Sequence, residues 1–255
     1  MTFPVYLDLF GLHLHPHPVI EGLGYFAGAR LYFHLKRRAP EAPLPFESTL
    51  WILLGCVFGA LLGSKLLALL EAPAYYGALR HDLHALFGGK TIVGGLLGGW
   101  AGVELLKHFL RLRRSTGDLF VYPLALGTAI GRIGCFLTGL SDRTYGIATS
   151  LPWGVDFGDG VRRHPAQLYE SAFVLLLALA LRLATHGRSL PSGVLFRLYI
   201  AGYLGFRFSI EFIKPREFLL PGLSAIQLAS LVGLFLAVRS ARRLLRSSPA
   251  NSAPL

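Results

Sequence analysis

Two arginine residues lie inside long apolar segments, where burying a positive charge costs free energy. Arg132 stands in the run Gly-Arg-Ile-Gly-Cys-Phe at 131–136, and Arg207 stands in a second apolar run. An arginine near the middle of a bilayer costs roughly 2.5–3.5 kcal/mol, so it normally faces a cavity or a charged partner. Glu211 follows Arg207 by one helical turn and is a candidate ion-pair partner, whereas Arg132 has no acidic residue within one turn. The two cations predict an anionic ligand, and guanidinium groups suit the phosphate of a lipid.

Other polar residues inside or beside apolar segments leave two explanations open. Glu21 lies in the first apolar segment, where it is either a proton acceptor or a partner for Arg30 or Arg207. Tyr169, near the start of a later segment, is either an interfacial anchor or a substrate contact. Glu104 and Lys107 are three residues apart and predict an ion pair within one helix.

Histidine and cysteine give no sign of a metal site. His13, His15 and His17 are two residues apart, a spacing that a helix does not align on one face. The two cysteines, Cys56 and Cys135, both fall within apolar segments and are interpreted as buried small hydrophobic residues. We therefore expect neither a disulfide framework nor a set of metal ligands.

The composition is that of a membrane protein. Of the 255 residues, 53% are hydrophobic and 15% are charged, whereas a soluble domain carries roughly 25% charged residues. The net charge is +11, but the basic residues lie beside apolar segments and form no face interleaved with aromatic residues. This distribution argues against a nucleic-acid partner.

The apolar segments predict an all-α, polytopic membrane protein of about seven transmembrane helices, because each is near the ~20 residues that cross a bilayer. We expect one transmembrane domain over residues 1–255, with a polar loop at about 141–164 and an amphipathic interfacial segment at 71–90. Small residues such as Gly94, Gly98 and Gly102 recur every four residues and permit close helix packing. The expected spans are 17–36, 48–70, 91–111, 119–140, 165–185, 191–213 and 223–245.

Lysine and arginine residues are distributed unequally between the two sides of these spans. Thirteen lie on the side that contains 36–38, 107–114, 182–188 and 239–246, against seven on the other side. The positive-inside rule places the richer side in the cytoplasm. The N-terminus and the 141–164 loop are then expected outside, and the C-terminus inside.

Several motifs, taken together and in order, resemble those of the bacterial prolipoprotein diacylglyceryl transferase family. The signature segment is matched by residues 131–136 followed by Tyr145 and Gly146, and the next motif by the run Arg-His-Pro-Ala-Gln-Leu-Tyr-Glu at 163–170. A later pattern is matched by Tyr203, Arg207 and Glu211-Phe212. The glycine pair of the third span is matched by Gly94-Gly95, and the first span by Gly22-Leu23 and Tyr25. The resemblance covers almost the full chain.

The resemblance implies an inner-membrane enzyme that moves the diacylglyceryl group of phosphatidylglycerol to the lipobox cysteine thiol of a preprolipoprotein. Glycerol phosphate leaves, and no metal or organic cofactor is required. Arg132 and Arg207 correspond to functional arginines of the family and are expected to be catalytic, with Glu21 as a candidate base. The expected substrate-binding residues are Gly94, Gly95, Gly131, Asp142, Tyr145, Gly146, His164, Gln167, Tyr169, Tyr203 and Glu211.

The chain departs from the family pattern at positions that would handle protons. Val93 stands where the family has a histidine before the glycine pair, and Val19 and Glu21 stand at the histidine and tyrosine of its first span. Cys135 replaces an asparagine of the signature, and Asp142 is the nearest match to its acidic residue. Glu21, Asp142 and His164 are therefore candidates for a rebuilt base.

The departures leave other functions open. A divergent paralogue could perform another lipid-headgroup transfer, or bind the lipid without chemistry. A transporter or channel could use the arginines for an anion path, although the internal repeats frequent in transporters are not visible in this sequence.

Overall fold

Seven α-helices form most of the described structure. The computed structural model describes residues 3–9, 11–39, 44–73, 89–215, 219 and 222–247. The helices agree with the predicted spans to within about three residues at each end. They are α1 Pro16–Arg38, α2 Phe46–Glu71, α3 Ile92–Phe109, α4 Val121–Thr138, α5 Ala166–Ala184, α6 Val194–Ile210 and α7 Ala225–Arg246.

Short 3-10 turns extend three of the helix ends, at Asp118–Phe120, Gly139–Asp142 and Glu211–Ile213. Two small hairpins were not predicted. Strands β1 (Leu7–Leu9) and β2 (Leu12–Leu14) pair before α1, and β3 (Val155–Asp156) and β4 (Arg162–Arg163) pair within the predicted polar loop. Most of the predicted amphipathic segment, residues 74–88, lies outside the described residues.

Three helical segments are long and apolar enough to cross a membrane by length and composition, namely Phe46–Glu71, Asp118–Asp142 and Ala166–Ala184. The other described helices are shorter or more polar, so this criterion does not confirm a count of seven. Many large apolar side chains point outward, including Phe58 and Leu62 of α2. Such a surface is expected where the solvent is lipid.

Glycine brings the helices into close contact. On α2 and α3, Gly59 faces Gly98 so closely that a Cβ on Gly59 would lie 2.3 Å from the Gly98 carbonyl oxygen. Gly24 of α1 likewise packs against Gly127 of α4, where an added Cβ would lie 2.9 Å from a carbonyl oxygen. Small residues permit this approach because lipid provides no hydrophobic force between helices, which then associate through packing. The predicted role of the four-residue glycine spacing in α3 is confirmed.

The buried core joins α2 to α7, and most of its residues lie on α4, α5, α6 and α7. Val121, Val174, Ile200 and Leu204 are fully buried within it. At the opposite end from the polar loop, Asp118 accepts hydrogen bonds from the backbone N–H groups of Gly193 and Phe196, which caps the start of α6. The packing fixes where the polar faces of α4, α5 and α6 meet.

Candidate functional site

Arg132 and Arg207 converge on one carboxylate, that of Glu170. Arg132 Nη2 donates to Glu170 Oε1 at 3.1 Å, and Arg207 Nη1 donates to Glu170 Oε2 at 3.1 Å. Arg132 Nε also lies 2.9 Å from Oε2, but at an angle that makes no hydrogen bond. All three side chains are buried. The carboxylate therefore holds the two guanidinium groups side by side.

Two further residues complete what we call the arginine cluster, which consists of Arg132, Glu170, Tyr203, Arg207 and Glu211. The Tyr203 hydroxyl donates to Glu170 Oε1 at 2.6 Å, and Arg207 Nη2 donates to Glu211 Oε2 at 2.9 Å. The ion pair expected between Arg207 and Glu211 is therefore present. The residues of the cluster come from α4, α5 and α6 with its 3-10 extension. Each residue lies within about two turns of the helix end that faces the polar loop.

Arg132 and Arg207 do not lack carboxylate partners, so the inference of an anionic ligand from unpaired charge is wrong. Glu170 lies 38 residues from Arg132 along the chain and 37 from Arg207, so a search within one helical turn does not find it. The sequence did carry a signal, because Glu170 ends the 163–170 motif. The two arginines and two glutamates make the cluster formally neutral. Its net charge therefore does not require an anionic ligand.

Polar atoms in and beside the cluster still have unused hydrogen-bonding capacity. Within the described residues, Arg207 Nε has no partner, and the buried Gln167 amide has none for either its nitrogen or its oxygen. Arg132 Nη1 donates to the Cys135 sulfur at 3.8 Å, its one hydrogen bond in the part of the chain that the structure describes. Gln167 precedes Glu170 by three residues on α5, so both lie on one helix face. Buried polar groups normally have partners, so these atoms are available to hydrogen-bond a polar ligand or water.

Lys214 adds a positive charge beside the cluster. It follows the 3-10 turn Glu211–Ile213 at the end of α6 and is half-buried. Burial and the nearby Arg207 lower the pKa of Lys214 from its ordinary value to about 8, while Glu211 opposes this shift. In the sequence, Lys214 is distinguished only as one of the basic residues that flank a span.

A second group of polar side chains, which we call the His17 cluster, lies at the start of α1 and the end of α4. It contains His17, Glu21, Cys135 and Asp142. His17 Nδ1 lies 3.1 Å from Asp142 Oδ1, and His17 Nε2 lies 3.4 Å from Glu21 Oε2. The ring nitrogen of His17, the Cys135 sulfur and an Asp142 oxygen all lie within 4.8 Å of one another.

Local structure fixes the position of His17. The His15 side chain accepts a hydrogen bond from the His17 backbone N–H and caps α1, and Pro16 occupies the first helical turn. The backbone of α4 approaches closely at Gly134, where an added Cβ would lie 3.0 Å from Ile20 of α1. This contact brings the neighbouring Cys135 next to His17.

The His17 cluster corrects two of the sequence-based interpretations. Cys135 is buried, but it is not merely a small hydrophobic residue, because it contacts Arg132 and lies beside His17 and Asp142. Glu21 forms no ion pair with Arg30 or Arg207. Its carboxylate instead accepts a hydrogen bond from the Tyr25 hydroxyl at 2.6 Å. Asp142 is oriented by a further short contact with the Thr144 hydroxyl.

The two clusters meet at Cys135. This residue and Arg132 are three apart on α4, and their side chains touch. The arginine cluster is buried, whereas the His17 side chain is 34% exposed and that of Asp142 is 10% exposed. A ligand that reaches both clusters would therefore lie across the exposed ends of α1, α4, α5 and α6.

Four of the predicted binding residues lie in or beside the polar loop rather than in either cluster. The Tyr145 ring lies under the Arg163 guanidinium, 5.2 Å from ring centroid to Cζ. The Gly146 N–H donates to the His164 carbonyl oxygen, and the Tyr169 hydroxyl accepts a hydrogen bond from Trp153 Nε1 at 2.8 Å. His164 Nδ1 is 3.3 Å from the same hydroxyl. These contacts join the loop to the start of α5.

The predicted glycines occupy different surroundings. Gly94 is in the contact between α2 and α3, where a Cβ would lie 2.3 Å from the Gly63 carbonyl oxygen. That contact accounts for Gly94 by packing, and a binding role for Gly94 or Gly95 stays a prediction. Gly131 has open space where a Cβ would stand, next to Arg132.

Comparisons with known proteins agree on one family. The profile of the family described as prolipoprotein diacylglyceryl transferase matches residues 4–241. A phosphatidylglycerol–prolipoprotein diacylglyceryl transferase of Bordetella parapertussis is 34% identical over 227 residues, which cover 85% of this chain and 84% of that protein. The enzyme of the same name from Geobacter sulfurreducens is 32% identical over 259 residues, covering 94% of this chain and 96% of the relative.

Proposed function

This chain belongs to the prolipoprotein diacylglyceryl transferase family, and on that premise we propose the reaction that it catalyses. It transfers the diacylglyceryl group of phosphatidylglycerol to the lipobox cysteine thiol of a preprolipoprotein. A bond forms between the thiol sulfur and the glyceryl carbon, and the bond from that carbon to the phosphate oxygen breaks. Glycerol phosphate leaves with the electron pair.

The observation that carries this proposal is the convergence of Arg132 and Arg207 on Glu170. Glu170 holds both guanidinium groups in place before the lipid arrives, so little reorganisation is needed to stabilise charge on the departing phosphate. Among the described residues, Arg132 Nε and Arg207 Nε have no hydrogen-bond partner, and Arg132 Nη1 donates only weakly, to a sulfur atom. The buried Gln167 amide supplies a further donor and acceptor for the headgroup.

The His17 cluster serves the acceptor thiol in this proposal. The nucleophile in such a reaction is the thiolate, so the site must favour loss of the thiol proton. Val93, at the histidine position of the family, cannot accept a proton, whereas His17, Glu21 and Asp142 lie together beside Cys135. The contact between Cys135 and Arg132 places this cluster next to the phosphate-binding arginines.

We base the proposed topology on the unequal distribution of lysine and arginine residues beside the spans. We place seven helices of one domain, residues 1–255, in the bacterial inner membrane with the N-terminus outside and the C-terminus in the cytoplasm. Both clusters then lie near the outer face. Reporter fusions after Arg38 and Arg114 should report the cytoplasm, and a fusion within residues 150–159 should report the outer side. A cytoplasmic signal from 150–159 contradicts this orientation.

The reaction is tested with the purified full-length protein, labelled phosphatidylglycerol and a lipobox peptide. We expect a thioether-linked diacylglyceryl peptide and an equal amount of released glycerol phosphate. A peptide with serine in place of the lipobox cysteine is the matched control and should give neither product. Phosphatidylglycerol binding without any thioether would contradict the transferase and favour a lipid-binding paralogue.

A further inference from the structure

The His17 cluster has the composition of a metal site. His17, Cys135 and Asp142 offer one nitrogen, one sulfur and one oxygen atom, all within 4.8 Å of one another. Zinc is bound in proteins by these three ligand types, at ~2.0–2.3 Å, which separates neighbouring ligands around a tetrahedral ion by about 3.5 Å. The His17 and Asp142 ligand atoms, 3.1 Å apart, already meet this spacing, and the widest of the three separations has to shorten by at most about 1.3 Å to bind an ion.

The surroundings of the three candidate ligands resemble the outer shell of a metal site. Metal-binding histidines usually donate their second ring N–H to a carboxylate, and His17 Nε2 lies 3.4 Å from Glu21 while Nδ1 lies 3.1 Å from Asp142. The Thr144 hydroxyl contacts the second oxygen of Asp142. Arg132 Nη1 approaches the Cys135 sulfur at 3.8 Å, as expected of a donor to a thiolate.

Charge also favours a divalent ion. A thiolate at Cys135 and a carboxylate at Asp142 neutralise a zinc ion when His17 binds through a neutral ring. The three ligands come from the start of α1, the end of α4 and the turn Gly139–Asp142, all of which are anchored by packing or capping. His17 remains partly exposed, so the fourth position of the ion can be reached from outside.

We propose that His17, Cys135 and Asp142 bind one zinc ion, whose open fourth position takes the acceptor cysteine thiol. This inference rests on the proposed transferase function and departs from the sequence-based expectation that no metal takes part. Sites with three protein ligands and one open position are typical of catalytic zinc. A thiol that coordinates such an ion loses its proton outright.

Transfer of the diacylglyceryl group to the zinc-bound sulfur requires no reactant besides the lipid and the acceptor thiol. As its sulfur takes the fourth position, the acceptor thiol releases its proton to water. The sulfur then attacks the glyceryl carbon, and the carbon–oxygen bond to phosphate breaks. The electron pair goes to the phosphate oxygen of glycerol phosphate beside Arg132. The product is a neutral thioether, a weaker ligand than a thiolate, and it leaves the ion.

Metal binding is tested first with zinc alone, using the full-length protein in detergent. We expect about one tightly bound zinc per chain by elemental analysis. Cys135→Ser and His17→Ala should abolish stoichiometric binding, whereas Cys56→Ser and His34→Ala, the matched controls, should retain it. Glu21→Gln should weaken binding roughly 10–100-fold, the usual effect of losing an outer-shell partner. A wild-type protein without zinc, or a Cys135→Ser variant that keeps it, overturns the site.

Cobalt substitution tests the open position in the wild-type protein, which avoids variants that fail to fold. The cobalt protein should show a sulfur-to-metal charge-transfer band from Cys135. A lipobox peptide should increase this band as a second sulfur binds, and the serine peptide should leave it unchanged. An unchanged band with the cysteine peptide overturns the thiol-binding role.

A chelation experiment separates this inference from the proposed function. Removal of zinc should lower thioether formation at least ~10²-fold, and added zinc should restore it. Full activity in the chelated protein overturns the zinc proposal and leaves the transferase standing. A zinc-loaded protein that binds the peptide but makes no thioether from phosphatidylglycerol overturns the transferase and leaves the metal site standing.

Discussion

The arginine cluster and the His17 cluster touch at one residue, Cys135, but are built in opposite ways. The arginine cluster is buried among α4, α5 and α6, and its two positive and two negative charges balance. The His17 cluster is partly exposed at the ends of α1 and α4, where two carboxylates flank one imidazole. The contrast supports the proposal that the two clusters have separate functions. The buried arginine cluster binds the lipid phosphate, and the partly exposed His17 cluster receives the acceptor thiol.

The largest effect is expected from lysine substitution of the clustered arginines. Arg132→Lys or Arg207→Lys should lower turnover ~10²–10³-fold, because an ammonium cannot donate in parallel to Glu170 and a phosphate. Initial rates of thioether formation measure this. Arg197→Lys is the control, since Arg197 is a buried arginine near the opposite end of α6 that bonds Ser240. Wild-type rates in Arg132→Lys or Arg207→Lys would remove that arginine from the reaction.

Removal of the shared carboxylate should mainly affect stability. Glu170→Gln leaves two buried guanidinium groups with one remaining carboxylate, and breaking a buried ion pair from one side costs roughly 3–5 kcal/mol. Thermal unfolding in detergent should show a clearly lowered midpoint. Glu104→Gln is the comparison, because the Glu104 carboxylate is half-exposed although its partner Lys107 is buried. This substitution should lower the midpoint less than Glu170→Gln does, since water solvates one side of the pair. Equal midpoints for the two variants would contradict the role given to Glu170.

Loss of His17 should affect chemistry and spare lipid binding. His17→Ala should reduce turnover ~10²-fold with little change in phosphatidylglycerol affinity, because His17 does not contact the arginine cluster directly. Glu21→Gln should lower turnover less than His17→Ala does, since Glu21 acts through its contact with His17. Turnover is read as thioether formation and affinity from lipid titration. An unchanged rate in His17→Ala would separate this cluster from the reaction.

The smallest effect concerns pH. The pKa of Lys214 is lowered to about 8, so Lys214 loses its charge as the pH rises from 7 to 9, while Arg132 and Arg207 stay charged. If Lys214 attracts the lipid phosphate, the affinity for phosphatidylglycerol should fall up to about fivefold over that interval. Lys214→Gln should remove this pH dependence. A fall of the same size in the variant would assign it to another group.

The sequence predicted the helices well and the site only in part. Long apolar segments located every described α-helix, because membrane helices satisfy their own backbone hydrogen bonds and their extent follows from composition. The pair Arg207–Glu211 was found because it lies within one helical turn. The partnership of Arg132 with Glu170 and of His17 with Cys135 was missed, because helices that meet in space are separated by many residues along the chain. The hairpin before α1 was missed although its strands, Leu-Asp-Leu at 7–9 and Leu-His-Leu at 12–14, do alternate apolar and polar residues, because each strand is only three residues long.

The division between the two clusters is tested most directly by the phosphatidylglycerol affinities of Arg207→Lys and His17→Ala, measured side by side. Both variants are placed in phosphatidylcholine nanodiscs and titrated with labelled phosphatidylglycerol. We expect Arg207→Lys to weaken binding at least tenfold and His17→Ala to bind like wild type, although both are slow in thioether formation. Weakened lipid binding in His17→Ala equal to that of Arg207→Lys would contradict separate sites for phosphate and thiol.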